Sequence, residues 1–197
     1  MWKSDLGAHF SEEKSIVERS GNHIYFYSEV NRENILKLNK YIYEVNMSID
    51  KVKFDNDCGM SMNIYLHINS FGGSIFAALA AIDNLMNSKA PVTSVIEGCN
   101  ASAGTLLSLV CKNRVINQNS YMLIHQLSGI LGGKMEEIKD EYTNLENIYN
   151  TIKSIYKRFT KLPETGEHSL DNILKREVWL DSKKCLEYGL VDNIGSI

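Results

Sequence analysis

Ser102 is the first residue whose surroundings point to chemistry. It stands in Gly98 Cys99 Asn100 Ala101 Ser102 Ala103 Gly104, a run of small residues between a β-rich stretch and an apolar helical one. A hydroxyl there opens a helix, where backbone amides without intrahelical partners stabilise an oxyanion. The same residues also read as an N-cap serine with small neighbours for close packing, which taken alone is the commoner case. No GxSxG surrounds it, which excludes the α/β-hydrolase nucleophile turn. His125 follows the apolar run Tyr121 Met122 Leu123 Ile124. Imidazole is the side chain best matched to proton transfer at neutral pH, although in such a run it also reads as a satisfied core histidine. Gly72 and Gly73 close the sequence Asn69 Ser70 Phe71 Gly72 Gly73. They form either a tight strand-to-helix turn or a place where a backbone amide approaches a ligand oxygen. Neither GxGxxG nor GxxxxGK is present, so this is no phosphate loop. In chain order the three sites supply oxyanion amides, a nucleophile and a base, the parts needed for acyl transfer through an activated serine. His67 sits mid-strand, His9 and His23 in the N-terminal part and His168 in a polar loop; all are weaker candidates.

Strands are expected over 22–28, 63–69, 92–97, 114–116 and 121–125. Helices are expected over 31–44 behind Asn31, then 74–86, 102–111, 133–160, 169–176 and 182–188. The polar stretch 46–61 reads as a loop. Strands separated by helices require crossover connections, hence an α/β fold with a largely parallel sheet. Residues 1–21 read as a polar, flexible lead and 22–197 as a single domain. The helix from Gly133 to Thr160 carries Met135, Ile138, Tyr142, Leu145, Ile148, Ile152 and Tyr156 at helical spacing. It would reach about 40 Å, more than a domain of this size needs, and so is expected to pack on something outside its own domain.

With 197 residues, 44% of them hydrophobic, and only 2 prolines, the chain has enough apolar side chains for one sizeable core. A net charge of −3 argues against nucleic-acid binding, which needs a basic face. The longest apolar stretches fall far short of the roughly 20 residues that span a bilayer, so no membrane partner is expected. The 4 cysteines include no CxxC pair, which argues against a zinc site or a disulfide framework and for a reducing compartment. The start MWKSDLGAHFSEEKS lacks the apolar core of a secretory signal, and the cytoplasm is the expected location.

The three sites together resemble the proteolytic subunit of the Clp protease. In that family a strand ends in an asparagine-serine-proline-glycine-glycine turn, the nucleophile lies in alanine-serine-methionine-glycine, and the base in methionine-isoleucine-histidine-glutamine. Here Asn69 Ser70 Phe71 Gly72 Gly73, Ala101 Ser102 Ala103 Gly104 and Leu123 Ile124 His125 Gln126 match, thirty residues separating Gly72 from Ser102 and twenty-three separating Ser102 from His125. Glu187 Tyr188 Gly189 Leu190 Val191 Asp192 is similar to the family's closing helix and turn. Phe71 and Leu127 stand where the family has proline, and Ala103 where it has methionine. These departures resemble a divergent, phage-type or prohead-protease-like member, and the lead before residue 22 lacks the family's axial-loop sequence.

The resemblance implies the ClpP/crotonase spiral of β-β-α units, the long helix projecting as a handle, and a heptameric ring or stacked double ring enclosing the active sites. It implies peptide or unfolded-protein substrates, an AAA+ unfoldase as partner, and a reaction without metal or organic cofactor. Ser102 would be the nucleophile, His125 the base, and the amides of Gly72 and Ala103 the oxyanion hole. The family's third triad member is an aspartate. Counting back from Glu187 Tyr188 Gly189 puts Ile173 there, whereas aligning on Ser169 Leu170 brings Arg176 or, with one gap, Glu177. Glu177 is the nearest carboxylate and Asp171 the alternative; Asp171 also reads as a first-turn acid and Glu177 as a solvated charge. Two other classes remain open: a catalytically inactive ring or scaffold subunit, and a crotonase-type acyl-CoA enzyme.

Overall fold

The computed structural model describes residues 15–55, 63–129, 131–195 and 197. Strands β1 (Ile16–Ser20) and β2 (His23–Tyr27) form an antiparallel hairpin in which Ser20 faces His23. Gly21 takes φ 61°, the left-handed geometry that a two-residue hairpin turn needs. A strand therefore begins inside the stretch read as a polar lead; Gly21 Asn22 between β-rich runs is the signal for it.

Helix α1 (Arg32–Asp55) starts where Asn31 accepts the Asn34 amide at 2.9 Å. It continues through the first half of the stretch read as a loop, since neither glycine nor proline interrupts residues 31–57. Polarity misled there: Val45 is buried, and Asn46 Oδ1 accepts the Ala90 amide at 3.0 Å, tying the helix to the segment before β4. Positions 56–61 of that loop lie outside the described residues.

The chain continues as β3 (Ile64–Ser70), α2 (Ile75–Met86), β4 (Val92–Ala101), α3 (Ala103–Leu109), β5 (Asn113–Ile116) and β6 (Tyr121–Leu123). It closes with α4 (Met135–Phe159), α5 (Leu170–Leu174), β7 (Leu180–Asp181), α6 (Ser182–Glu187) and β8 (Asn193–Ile194). β2, β3, β4, β5 and β8 are parallel neighbours in that order, with β1 antiparallel at the edge. β4 does not end at Glu97 as expected. Its first half pairs with β5 through Ile96, and its last residues, Cys99 to Ala101, pair with β6. Gly98 at φ 72° lies between the two halves. The sheet forks at this point, and the fork brings β6, which leads to His125, alongside the strand that leads to Ser102.

The core forms where Phe26, Leu66, Ile68 and Ile96 of the sheet meet Leu38, Ala78, Leu106 and Leu107 of the helices, all of them buried. Alanines on α2 let it lie close against its neighbours. Arg114 in β5 binds the rim together: it holds Asp192 through Nη2 at 2.5 Å and Nε at 3.0 Å, and Nη1 donates to the carbonyls of Phe159 and Gly189. Burial would raise the Asp192 carboxyl, but the hydrogen bonds and charge of Arg114 outweigh it and hold the group below its ordinary value. α4 behaves as the handle expected from its length. Only Ile152 and Tyr156, near its C-terminal end, are buried, while Met135 and Tyr142 are 68% and 58% exposed. Among the described residues no helix is long and apolar enough to cross a membrane.

Candidate active site

Ser102 joins β4 to α3 at the helix's N-cap position, but its side chain makes no capping bond; its Oγ lies 2.7 Å from His125 Nε2. Its backbone takes φ 53° and ψ −128°, and it is the only non-glycine residue with positive φ among those described. Such a conformation costs on the order of 1–3 kcal/mol and persists only where the surroundings over-determine it. Here the Ser102 amide donates to the Leu123 carbonyl at 2.8 Å, while the Ser102 carbonyl accepts from the Thr105 amide at 3.0 Å and from Thr105 Oγ1 at 2.6 Å. Strain stored in this turn aims the hydroxyl at the imidazole.

His125 lies two residues beyond β6 in an extended segment. Met122 and Ile124 are buried on one side of it, and the Gln126 amide donates to the Leu174 carbonyl at 2.8 Å on the other. Alternation along this segment places the imidazole away from the core, toward Ser102.

At the glycine turn, a Cβ on Gly72 would lie 2.7 Å from Ser102 Cβ and 2.8 Å from the Ala101 carbonyl, so only glycine allows the turn to approach the serine. The Gly72 amide, expected in the oxyanion hole, is turned inward and donates to Ser70 Oγ at 3.1 Å. Its carbonyl accepts from Val30 at 2.7 Å. In a trans peptide the N–H points opposite to the carbonyl, so the Gly73 amide faces away from Val30. Gly73 lines the cavity beside Ser102, and among the described residues neither the Gly73 nor the Ala103 amide has an acceptor. Sequence alone could not separate the two glycines, because Ser70 and Val30 decide which amide is free.

The cavity beside Ser102 and His125 has a volume of about 300 Å³ and apolar walls from Ile75, Leu106, Ile152 and Tyr156. Asp171 is 2.5 Å from Lys153 Nζ, and that hydrogen bond holds its carboxyl below the ordinary range. Glu177 is exposed in the segment between α5 and β7. β7 pairs antiparallel with β6, Tyr121 facing Asp181 and Met122 facing Leu180. Beyond Met122 and Leu180 the two segments leave that register, since the Gln126 amide reaches the Leu174 carbonyl. No local pattern joins His23, His67 and Glu97, which lie on three different strands. His67 Nδ1 is 3.0 Å from Glu97 Oε1, and His67 Nε2 is 2.9 Å from His23 Nδ1.

The family described as Clp protease matches residues 18–197. The ATP-dependent Clp protease proteolytic subunit of Streptococcus mutans is 30% identical over 187 residues, covering 93% of both chains. Proteolytic subunit 2 of Treponema pallidum is 30% identical over 190 residues, covering 93% of this chain and 92% of its own. A ClpP1 mutant from Listeria monocytogenes superposes with a TM-score of 0.74 at 24% identity, over 90% of this chain and 92% of its own, a likeness of fold. The match begins inside β1 and includes the turn, the serine and the histidine already found together, and on that ground the chain belongs to the Clp protease family of serine peptidases.

Proposed function

We propose that this chain is a serine endopeptidase in which Ser102, His125 and Glu177 act as a triad. The observation that carries this is the 2.7 Å contact between Ser102 Oγ and His125 Nε2 at a strained turn beside an open cavity. Neither an inactive scaffold nor an acyl-CoA enzyme has use for it. His125 Nε2 accepts the Ser102 proton as Oγ bonds to the peptide carbonyl carbon. It returns that proton to the nitrogen as the C–N bond breaks, and water then releases the acyl group by the same route. The amides of Gly73 and Ala103, rather than Gly72 and Ala103, hold the oxyanion, since both lack other acceptors among the described residues. Glu177, the carboxylate that alignment on Ser169 Leu170 brings nearest the family's third position, holds Nδ1–H. The apolar cavity receives a hydrophobic side chain next to the scissile bond. The substrates are peptides or unfolded proteins, cleaved in the cytoplasm within a ring that an AAA+ unfoldase of the kind implied by the relatives' ATP dependence can feed.

A fluorophosphonate probe tests the nucleophile directly. Wild-type protein is expected to be labelled on Ser102 and to cleave a fluorogenic peptide with an apolar residue before the scissile bond. Ser102→Ala should lose labelling and, on the order of 10⁴–10⁶-fold, kcat. Wild-type turnover in a verified Ser102→Ala preparation would overturn the assignment.

A further inference from the structure

The peptide unit between Ser102 and Ala103 carries a carbonyl on one side and, on the other, the N–H placed in the oxyanion hole. Whatever fixes the carbonyl therefore aims the amide, because the unit is planar and trans. The carbonyl accepts twice, from the Thr105 amide at 3.0 Å and from Thr105 Oγ1 at 2.6 Å. Thr105 Oγ1 also lies 2.5 Å from Tyr156 OH. A hydroxyl has one proton, and Thr105 gives its proton to Ser102, so at the second contact it accepts and Tyr156 donates. The chain is directional: Tyr156 O–H to Thr105 Oγ1, and Thr105 O–H to the Ser102 carbonyl. Thr105 is 0% and Tyr156 2% exposed, so water does not substitute for either bond. Burial pushes the Tyr156 phenol upward, which keeps its proton in place at any working pH.

We propose that Thr105 and Tyr156 are positioning residues for the oxyanion hole, acting through the Ser102–Ala103 peptide. Thr105 fixes the plane of that peptide against the strain at φ 53°, and by drawing electron density from the carbonyl it makes the Ala103 amide a stronger donor. Tyr156 holds the Thr105 hydroxyl in the required rotamer. Because Tyr156 belongs to α4, the seating of the handle on the domain and the aim of the oxyanion donor are one arrangement. A valine-sized side chain at position 105 would pack as well, so the hydroxyl is present for its hydrogen bonds.

This inference rests on Ser102 as nucleophile, and its test keeps the two apart. Fluorophosphonate labelling of wild-type Ser102 establishes the nucleophile; the Thr105 and Tyr156 variants are then measured on the full chain. Thr105→Val is expected to lower kcat roughly 10- to 100-fold, a partial loss of one oxyanion donor, while KM changes less than about twofold because the cavity walls are intact. Affinity for a peptide boronate, whose tetrahedral adduct uses the same amides, should fall in parallel with kcat. Thr105→Ser should restore kcat to within about threefold of wild type, and Tyr156→Phe should lower it about three- to tenfold. If Thr105→Val does not fold, Tyr156→Phe with boronate binding carries the test. Wild-type kcat and boronate affinity in whichever of these variants folds, or losses in KM as large as those in kcat, overturn the proposal.

Discussion

At the scale of single residues the proposed triad has two carboxylates to choose between. Asp171 is engaged by Lys153 on α4, and its removal takes away a half-exposed ion pair worth under about 1 kcal/mol. Glu177 is exposed between α5 and β7, and in the proposed triad its carboxylate keeps the imidazole in the tautomer whose Nε2 can accept the serine proton. Glu177→Gln is accordingly expected to lower kcat by about 10²–10⁴-fold with assembly intact, and Asp171→Asn by less than about threefold. Steady-state peptide hydrolysis on both variants decides it; the reverse ranking transfers the role to Asp171, and indifference to both leaves a Ser-His dyad. Ser102 and His125, which meet at 2.7 Å, could be singled out in the sequence because small residues and an interrupted apolar run are local signals. That the Gly72 amide is taken up by Ser70 Oγ could not be, since it depends on where Ser70 and Val30 sit in the fold.

Among the elements, β2, β3 and β4 carry a titratable seam that no single strand announces. His23 and His67 stack with Tyr65 and Tyr25, their nitrogens meet at 2.9 Å, and Glu97 closes the line with Tyr27 donating to it. Desolvation, and after it the charge of His67, lower the His23 pKa below its ordinary 6.5. A group whose folded pKa is depressed in this way favours the neutral form. The unfolded chain therefore takes up the proton first as pH falls, and stability is lost from about pH 6.5 downward. Asp171 and Asp192, both held below 3.8, titrate under that window and do not mask it. Between about pH 7.5 and 5.5 the melting temperature should drop by roughly one to two degrees, and His23→Gln should reduce that drop. A wild-type melting temperature that is flat or rises over this range would count against the seam. The alternation of strands and helices was readable from periodicity, whereas the true length of α1 was hidden because Asn46 and its neighbours are polar for a tertiary reason, the bond to Ala90.

For the whole molecule the exposed part of α4 is the decisive feature. The helix leaves the domain after Ile152, counting toward its N-terminus, and carries Tyr142 and Met135 in solvent. A groove of about 420 Å³ beside it is walled by Leu127, Leu131, Tyr142, Leu145 and Tyr149. An amphipathic face left uncovered by the described residues is stable when a second surface covers it, and a second copy is the partner that the family resemblance supplies. Helical length alone made the exposed end of α4 legible in the sequence, since about 40 Å exceeds what one small domain can cover. The chain has a mass of 22.3 kDa, and light scattering at micromolar concentration is expected to give a heptamer or a pair of heptamers. Replacing both Tyr142→Glu and Leu145→Glu puts charge into the groove without touching Ile152 or Tyr156, so the domain should remain folded while the assembly shifts to smaller species. Wild-type protein that stays monodisperse at 22.3 kDa would rule out the ring, and a double variant that assembles like wild type would move the contact away from this groove.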